Sequence, residues 1–111
     1  MNLEDKLKTI CDNVDGSVGA FFSGYDGIVI SKYESRPIDS DLIAANFSSL
    51  IKGLNNVSSE KIEDILLTFT SVVVAIKTSE DGFLSLVLSK DGNLGRAKLE
   101  LNRIGGDFLN V

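Results

Sequence analysis

The sequence contains no histidine and no tryptophan, and it has one cysteine and one proline in 111 residues. Histidine is the commonest general base and the commonest metal ligand, so its absence removes the usual acid–base chemistry. A single cysteine cannot form a disulfide within the chain, and the first ten residues carry charges where a signal peptide needs an apolar run. These absences favour a cytoplasmic protein that does no histidine-based catalysis.

Positive charge is also scarce, since 11 Lys and Arg residues face 16 Asp and Glu residues and the net charge is −5. With no cluster of Lys or Arg against that background, a nucleic-acid backbone or an anionic membrane surface would be repelled on average. The apolar stretches are far shorter than the roughly 20 residues that span a bilayer. We therefore expect neither nucleic-acid binding nor membrane insertion.

Motifs for catalysis and nucleotide binding are missing as well. Neither phosphate-binding pattern, G-x-x-x-x-G-K-[ST] or G-x-G-x-x-G, occurs in the sequence. Asp26, Asp81 and Asp91 each precede a glycine, where a role in a turn explains them. Cys11 lies on the apolar stripe of the first helical segment, which indicates a buried hydrophobic side chain rather than a reactive thiol. We predict no catalytic residue, no metal site and no cofactor.

What is present is a regular hydrophobic pattern. Hydrophobic residues make up 43% of a chain whose length suits one domain over residues 1–111. Helical spacing predicts three helices, with Asp39 or Ser40 capping the second and Gly105-Gly106 as a candidate break in the third. The first is predicted from Leu3 to near Asp15-Gly16, the second runs to about Asn55 or Asn56, and the third starts from Asn93.

Five further segments alternate with the period of a β-strand: 17–24, 27–33, 61–70, 72–78 and 82–89. Asp26-Gly27 predicts a tight hairpin with a primed turn between the first two. Both alternating sets of these two strands contain large apolar side chains, which is typical of strands covered on both faces. The order helix, two strands, helix, three strands, helix predicts an α/β (α+β) fold, a five-stranded antiparallel sheet with helices on both faces.

The second helix carries two stripes. Ile43, Phe47, Leu50 and Leu54 form an apolar stripe that we expect to be buried. Small residues form the other, which consists of Ala45, Ser49 and Gly53 with Asn46 beside them. Glycine inside a helix costs about 0.5–1 kcal/mol relative to alanine, so this stripe favours the close approach of another backbone over a plain exposed face.

Four segments in this order resemble the Roadblock family of dynein-light-chain-related proteins, which has a profilin-like sheet. They are "LEDKLKTI" followed by Val14-Asp15-Gly16, "GAFFSGYDGIVIS" as the hairpin, "DSDLIAANFSSLIKGL" as the alanine-rich second helix, and "FLSLVLSKDGNLGRAKLEL" as a strand, turn and final helix. The resemblance covers essentially the whole chain.

The resemblance implies a binding module. Roadblock domains typically dimerise by pairing their third strands and packing their second helices, and such dimers bind or regulate small Ras-like GTPases or act as scaffolds. It places the dimer interface of this chain at Ala45, Asn46, Ser49, Gly53, Ile65, Leu67 and Phe69. Asp41, Ser48 and Lys52, away from the apolar stripe, are the candidate GTPase-binding residues. The leading hypothesis is a non-enzymatic homodimeric regulator or scaffold of such a GTPase.

Two alternatives stay open from the sequence. A GTPase-activating protein would need a group that stabilises transition-state charge, and Arg36, Arg96 and Arg103 are the arginines available. A small-molecule sensor of profilin-like fold would need polar groups that converge in an apolar pocket, and the sequence locates none.

Overall fold

The computed structural model describes residues 2–57 and 59–104, and the predicted break at Gly105-Gly106 lies outside these residues. The elements follow the predicted order. They are α1 (Leu3–Asn13), β1 (Ser17–Ser23), β2 (Val29–Glu34), α2 (Ser40–Asn55), β3 (Asp64–Thr68), β4 (Val72–Thr78), β5 (Phe83–Ser89) and α3 (Leu94–Ile104).

The five strands form one antiparallel sheet in the order β2-β1-β5-β4-β3. β1 and β5 lie near its centre, while β2 and β3 are its two edges. Helices α1 and α3 pack on one face and α2 packs on the other, which confirms the predicted fold class. None of the helices in the described part of the chain combines the length and apolar character needed to cross a membrane.

The face under α1 and α3 holds one half of the core. Leu7 and Ile10 of α1 and Leu101 of α3 cluster with side chains of the central strands, among them Phe22 and Leu86. Asn2 begins α1 because its side chain accepts a hydrogen bond from the backbone N–H of Asp5 at 2.8 Å.

Cys11 belongs to the same core and is 6% exposed, which confirms its interpretation as a buried side chain. Burial raises the pKa of the Cys11 thiol from 9.0 to about 11. A thiol with so high a pKa is almost entirely protonated near neutral pH, so it is a weak nucleophile there.

The face under α2 holds the other half of the core. Ala44, Phe47 and Ile51 of the helix pack on strand residues that include Phe21 and Phe83. The Phe21 and Phe83 rings meet edge to face, with centroids 6.5 Å apart. The two faces together bury β1 and β5 along almost their whole length, which fits their apolar character on both sides.

The β1–β2 hairpin differs from its prediction in two ways. Gly24 N–H donates to the carbonyl of Ile28, which leaves a three-residue loop instead of a two-residue primed turn. Within this loop only Gly27 has a positive φ, of 84°. The Asp26 carboxylate accepts the N–H of Ile28 at 3.0 Å, so Asp26 stabilises the turn without adopting the left-handed conformation itself. β2 is also not covered on both faces, since Ile28 before it and Ile30 within it are exposed.

Candidate interaction surface

Helix α2 begins where local chemistry predicts. The Asp39 carboxylate accepts the backbone N–H of Leu42 at 3.1 Å, so Asp39 is the N-cap. The helix then lies on the sheet with a buried side made of Ser40, Ala44, Phe47, Ser48 and Ile51.

The predicted buried stripe of α2 is therefore partly wrong. Phe47 is buried as expected and Ile43 is half-buried, but Leu50 and Leu54 are exposed and Ile51 takes the central place against the sheet. The observed orientation differs by a fraction of a turn, which brings the small side chains of Ala44 and Ser48 inward. It leaves two leucines at the edge of the contact.

One flank of α2 carries the tip of the β1–β2 hairpin. A Cβ built on Gly27 would lie 3.2 Å from the Cα of Ala45 and 3.1 Å from the Oγ of Ser48, so the tip packs directly on the helix. Ser48 is consequently 5% exposed, and its hydroxyl donates to the carbonyl of Ala45 at 2.9 Å. The prediction that Ser48 lies on the solvent side is wrong, because the glycine tip covers it.

Asp41 and Lys52, the other two candidate GTPase-binding residues, are exposed as predicted. They lie on either side of Ser48 along the same flank, eleven positions apart and so about 16 Å along the helix axis. The hairpin tip occupies the surface between them. These two residues do not form a continuous patch by themselves.

The opposite flank of α2 is apolar and exposed. Since Ala45 and Ser48 face the hairpin, Leu50 and Leu54 lie on the side of the helix toward β3, where Ile43 packs on the same core as Ile65. Leu42 is exposed too, but it lies about 80° around the helix from Leu50, on the outer side of α2. Beyond the neighbouring residues and backbone of α2 itself, no described atom lies within 4 Å of a Cβ built on Gly53, so no packing contact among the described residues explains a glycine there.

Edge strand β3 is shorter than the predicted range of 61–70, and it is regular and apolar. Its register with β4 is continuous from Asp64 to Thr68. Ile65 and Leu67 are half-buried toward α2, whereas Leu66 is 42% exposed on the other face and Phe69, just past the strand, is 47% exposed. Such an edge invites pairing with another strand.

The other edge of the sheet is different. The pairing of β2 with β1 shifts register between Phe22 and Ser23, a β-bulge, and β2 presents the charged side chains of Lys32 and Glu34. Bulges and charged side chains are the usual devices that keep a sheet edge from pairing. Of the two edges, β3 is the one whose pairing is regular throughout.

The residues predicted for a dimer interface, except Ala45, lie on the outer side of α2 or along and just beyond β3. Asn46, Ser49 and Gly53 are exposed on α2, and Phe69 is exposed beyond β3. Ala45 is exposed as well, but it lies on the flank that carries the hairpin. Leu66 was not among the predicted interface residues. Its place between Ile65 and Leu67 puts its side chain on the opposite face of β3, and this alternation could have indicated it.

The three arginines considered for a GTPase-activating role have different surroundings, since two of them lie near a buried glutamate and one is in an exposed loop. Arg96 Nη2 lies 2.8 Å from the buried carboxylate of Glu100, and Arg103 Nη1 lies 3.6 Å from it. The i, i+4 spacing of Arg96 and Glu100 is the sequence signal for this ion pair. Arg36 is exposed in the loop between β2 and α2. Two of the three arginines therefore already neutralise a buried charge of this chain.

Other chemistry is sparse among residues 2–57 and 59–104. They include no group of three His, Cys, Asp or Glu side chains that would hold a metal ion. A cleft of about 590 Å³ lies between the C-terminal end of α2 and the start of β3, and its lining includes Lys61, Glu63, Lys77 and Glu80. Because its wall carries both positive and negative side chains, the cleft does not indicate whether a ligand would be an anion or a cation.

No protein-family model matches the sequence, and no curated protein matches it either. Solved structures do match. The Roadblock/LC7 domain of Streptomyces avermitilis has a TM-score of 0.83 at 15% identity, over 94% of this chain and 92% of that chain. The gliding protein MglB of Thermus thermophilus has a TM-score of 0.83 at 16% identity, over 91% of this chain and 81% of that chain.

A third structure, described as MglB with a tetrameric arrangement, has a TM-score of 0.81 at 19% identity, over 91% of this chain and 80% of that chain. At these identities the likeness concerns the fold. The chain has the Roadblock/LC7 fold, as the resemblance of its sequence implied.

Proposed function

We propose that this protein is a non-enzymatic regulator or scaffold that forms a homodimer and binds a small Ras-like GTPase in the cytoplasm. The observation that carries the proposal is the open, regular and apolar edge of β3 beside the exposed apolar flank of α2. Within a fold shared with Roadblock/LC7 domains, this is the surface that the sequence resemblance assigns to dimerisation.

Self-association is supported by what the surface would otherwise expose. Leu42, Leu50 and Leu54 on α2 and Leu66 and Phe69 at the edge are large apolar side chains in contact with water. A second copy of the chain would cover these side chains with its own apolar surface. A stable dimer buries about 1,200 Å² or more in total. The tetrameric arrangement described for an MglB of the same fold also supports self-association.

Binding of a GTPase is supported by the resemblance of the sequence to the Roadblock family, whose dimers bind or regulate small Ras-like GTPases, and the chain shares the Roadblock/LC7 fold. A partner that touches both Asp41 and Lys52 must also touch the hairpin tip that lies between them. We therefore include the tip in the proposed GTPase-binding surface, with Asp26 and Ile28 as its exposed side chains. The buried Ser48 is no longer part of it.

The test is a pull-down with the Ras-like GTPases of the source organism, each loaded with a GTP analogue. We expect at least one to bind below about 100 μM, which corresponds to roughly −5.5 kcal/mol. The protein alone should release no phosphate from GTP. If no GTPase binds at that concentration, the GTPase part of the proposal is wrong, whatever the oligomeric state.

A matched pair of charge reversals locates the surface. Asp41→Lys should weaken GTPase binding by about tenfold, since it reverses a charge inside the proposed contact. Asp5→Lys is the control, because Asp5 also lies in the first turn of a helix, but on the other face of the sheet. Equal effects of the two substitutions would contradict the proposed location.

A further inference from the structure

The backbone of β3 defines how a second strand would bind to it. Phe69 N–H donates to the carbonyl of Val72, and Thr78 N–H donates to the carbonyl of Glu63. Because hydrogen-bonded and non-bonded pairs alternate along an antiparallel ladder, residues 63, 65, 67 and 69 direct their backbone groups toward β4. Asp64, Leu66 and Thr68 therefore present their N–H and C=O groups at the open edge.

A second copy that pairs symmetrically with this edge matches at least two outward residues of each copy in three registers, with the two-fold axis at residue 65, 66 or 67. With the axis at Leu66, all three outward residues of each copy face one another. Each of these residues donates one bond and accepts one, which makes six inter-chain hydrogen bonds. With the axis at residue 65 or 67, the overlap within the strand falls to two outward residues per copy and four bonds.

The side chains favour the same register. On the face under α3, Leu66 borders a cavity of about 130 Å³ whose lining also includes Ala75, Lys98 and Leu101. An axis at Leu66 places the leucine of one copy beside that of the other, and on the α2 face it places Ile65 opposite Leu67. An axis at residue 65 would instead place Leu66 opposite a charged Asp64.

We propose that two copies of this chain pair their β3 strands with the two-fold axis at Leu66, so that each Leu66 closes the open side of the cavity between α3 and β3 of its partner. The inference rests on the homodimer of the proposed function and specifies its register. The axis at Leu66 aligns Asp64 of each copy with Thr68 of the other.

Single cysteines introduced at the three candidate axis positions distinguish the registers. In a Cys11→Ala background, Leu66→Cys should form an inter-chain disulfide at least about tenfold faster than Ile65→Cys or Leu67→Cys, because only residues at the axis face their own copies. Ile28→Cys, exposed next to the other edge, is the control for random collision. Fastest cross-linking at position 65 or 67 would overturn the proposed register.

A second variant keeps Leu66 in place. Asp64→Cys/Thr68→Cys should cross-link between copies, since these positions are opposite only when the axis is at Leu66. Within one chain the two are about 13 Å apart along the strand, too far for a disulfide. A protein that is dimeric by light scattering but fails to cross-link in both experiments would overturn the β3 pairing and leave the dimer standing. A monomer would overturn both.

Discussion

Gly27 and Ala45 are in direct contact: a Cβ added to Gly27 would lie 3.2 Å from the Cα of Ala45. The contact joins the tip of the β1–β2 hairpin to the flank of α2 and covers Ser48 between them. Tyr25 ties the same tip to the β4–β5 turn, since its hydroxyl donates to the carbonyl of Ser79 at 2.5 Å. Helix α2 is therefore held by the hairpin as well as by the sheet beneath it.

Replacing Gly27 with alanine should lower the free energy of unfolding by about 1–3 kcal/mol, since the residue has a φ of 84° and an added Cβ would press on Ala45 and Ser48. Urea denaturation at low protein concentration measures the loss. Gly53→Ala is the control: it meets open space inside a helix, so under the same conditions it should raise the stability by about 0.5–1 kcal/mol. A Gly27→Ala variant as stable as the parent would contradict the tight contact.

Gly53→Arg should convert the proposed dimer to a monomer and leave the monomer folded. The arginine has room on the isolated chain, but it would stand between two helices packed through Ser49 and Gly53. Light scattering at micromolar concentration and the far-UV circular dichroism spectrum report the two properties. Leu99→Arg, at an exposed position of α3 on the other face of the sheet, should stay dimeric. A dimeric Gly53→Arg variant would exclude this part of α2 from the interface.

Two buried serines should respond to alanine in opposite directions. The hydroxyl of Ser85, fully buried in β5, has no hydrogen-bond partner among the described residues, so Ser85→Ala should leave the stability unchanged or raise it by up to about 1 kcal/mol. The hydroxyl of Ser23, which is equally buried, donates to the carbonyl oxygen of Gly24 at 2.9 Å. Ser23→Ala should therefore lower the free energy of unfolding by about 0.5–1.5 kcal/mol. Chemical denaturation of both variants settles the comparison.

Cys11 should react with thiol reagents in the native protein only slowly at pH 8, because burial raises its pKa to about 11. A raised pKa stabilises the fold while the thiol is protonated, so this contribution is complete below pH 9 and is lost as the pH rises toward 11. Cys11→Ala should remove that part of the pH dependence and cost about 1–2 kcal/mol near neutral pH. Rapid alkylation of the folded protein would show that the thiol is accessible.

Much of the architecture was predictable from local pattern. The alternating Val-rich stretch 72–78 is β4 as predicted, and Asp39 caps α2 because an aspartate before a helical pattern satisfies its first free N–H groups. The sheet with helices on both faces follows from the order of the elements. Each of these features depends on neighbours within a few residues, which a sequence displays directly.

The rotation of α2 could not be read from spacing. The set Ile43, Phe47, Leu50 and Leu54 and the observed set Ala44, Phe47, Ser48 and Ile51 both have helical periodicity. The sequence favours the more apolar set. The structure buries the second set, because Gly27 at the tip of the hairpin packs on the small residues Ala45 and Ser48. This contact joins residues that are eighteen or more positions apart.

The sequence by itself determined the elements, their order and the absence of histidine chemistry, since these depend on composition and on short-range hydrogen bonding. Only the tertiary structure decided which edge of the sheet stays open and which side of α2 faces water. Strand order brings β5 between β1 and β4, leaves β3 at the edge and exposes Leu66 there. Exposure of that kind is a property of distant segments packed together, because a residue's own neighbours in the chain cannot cover or uncover it.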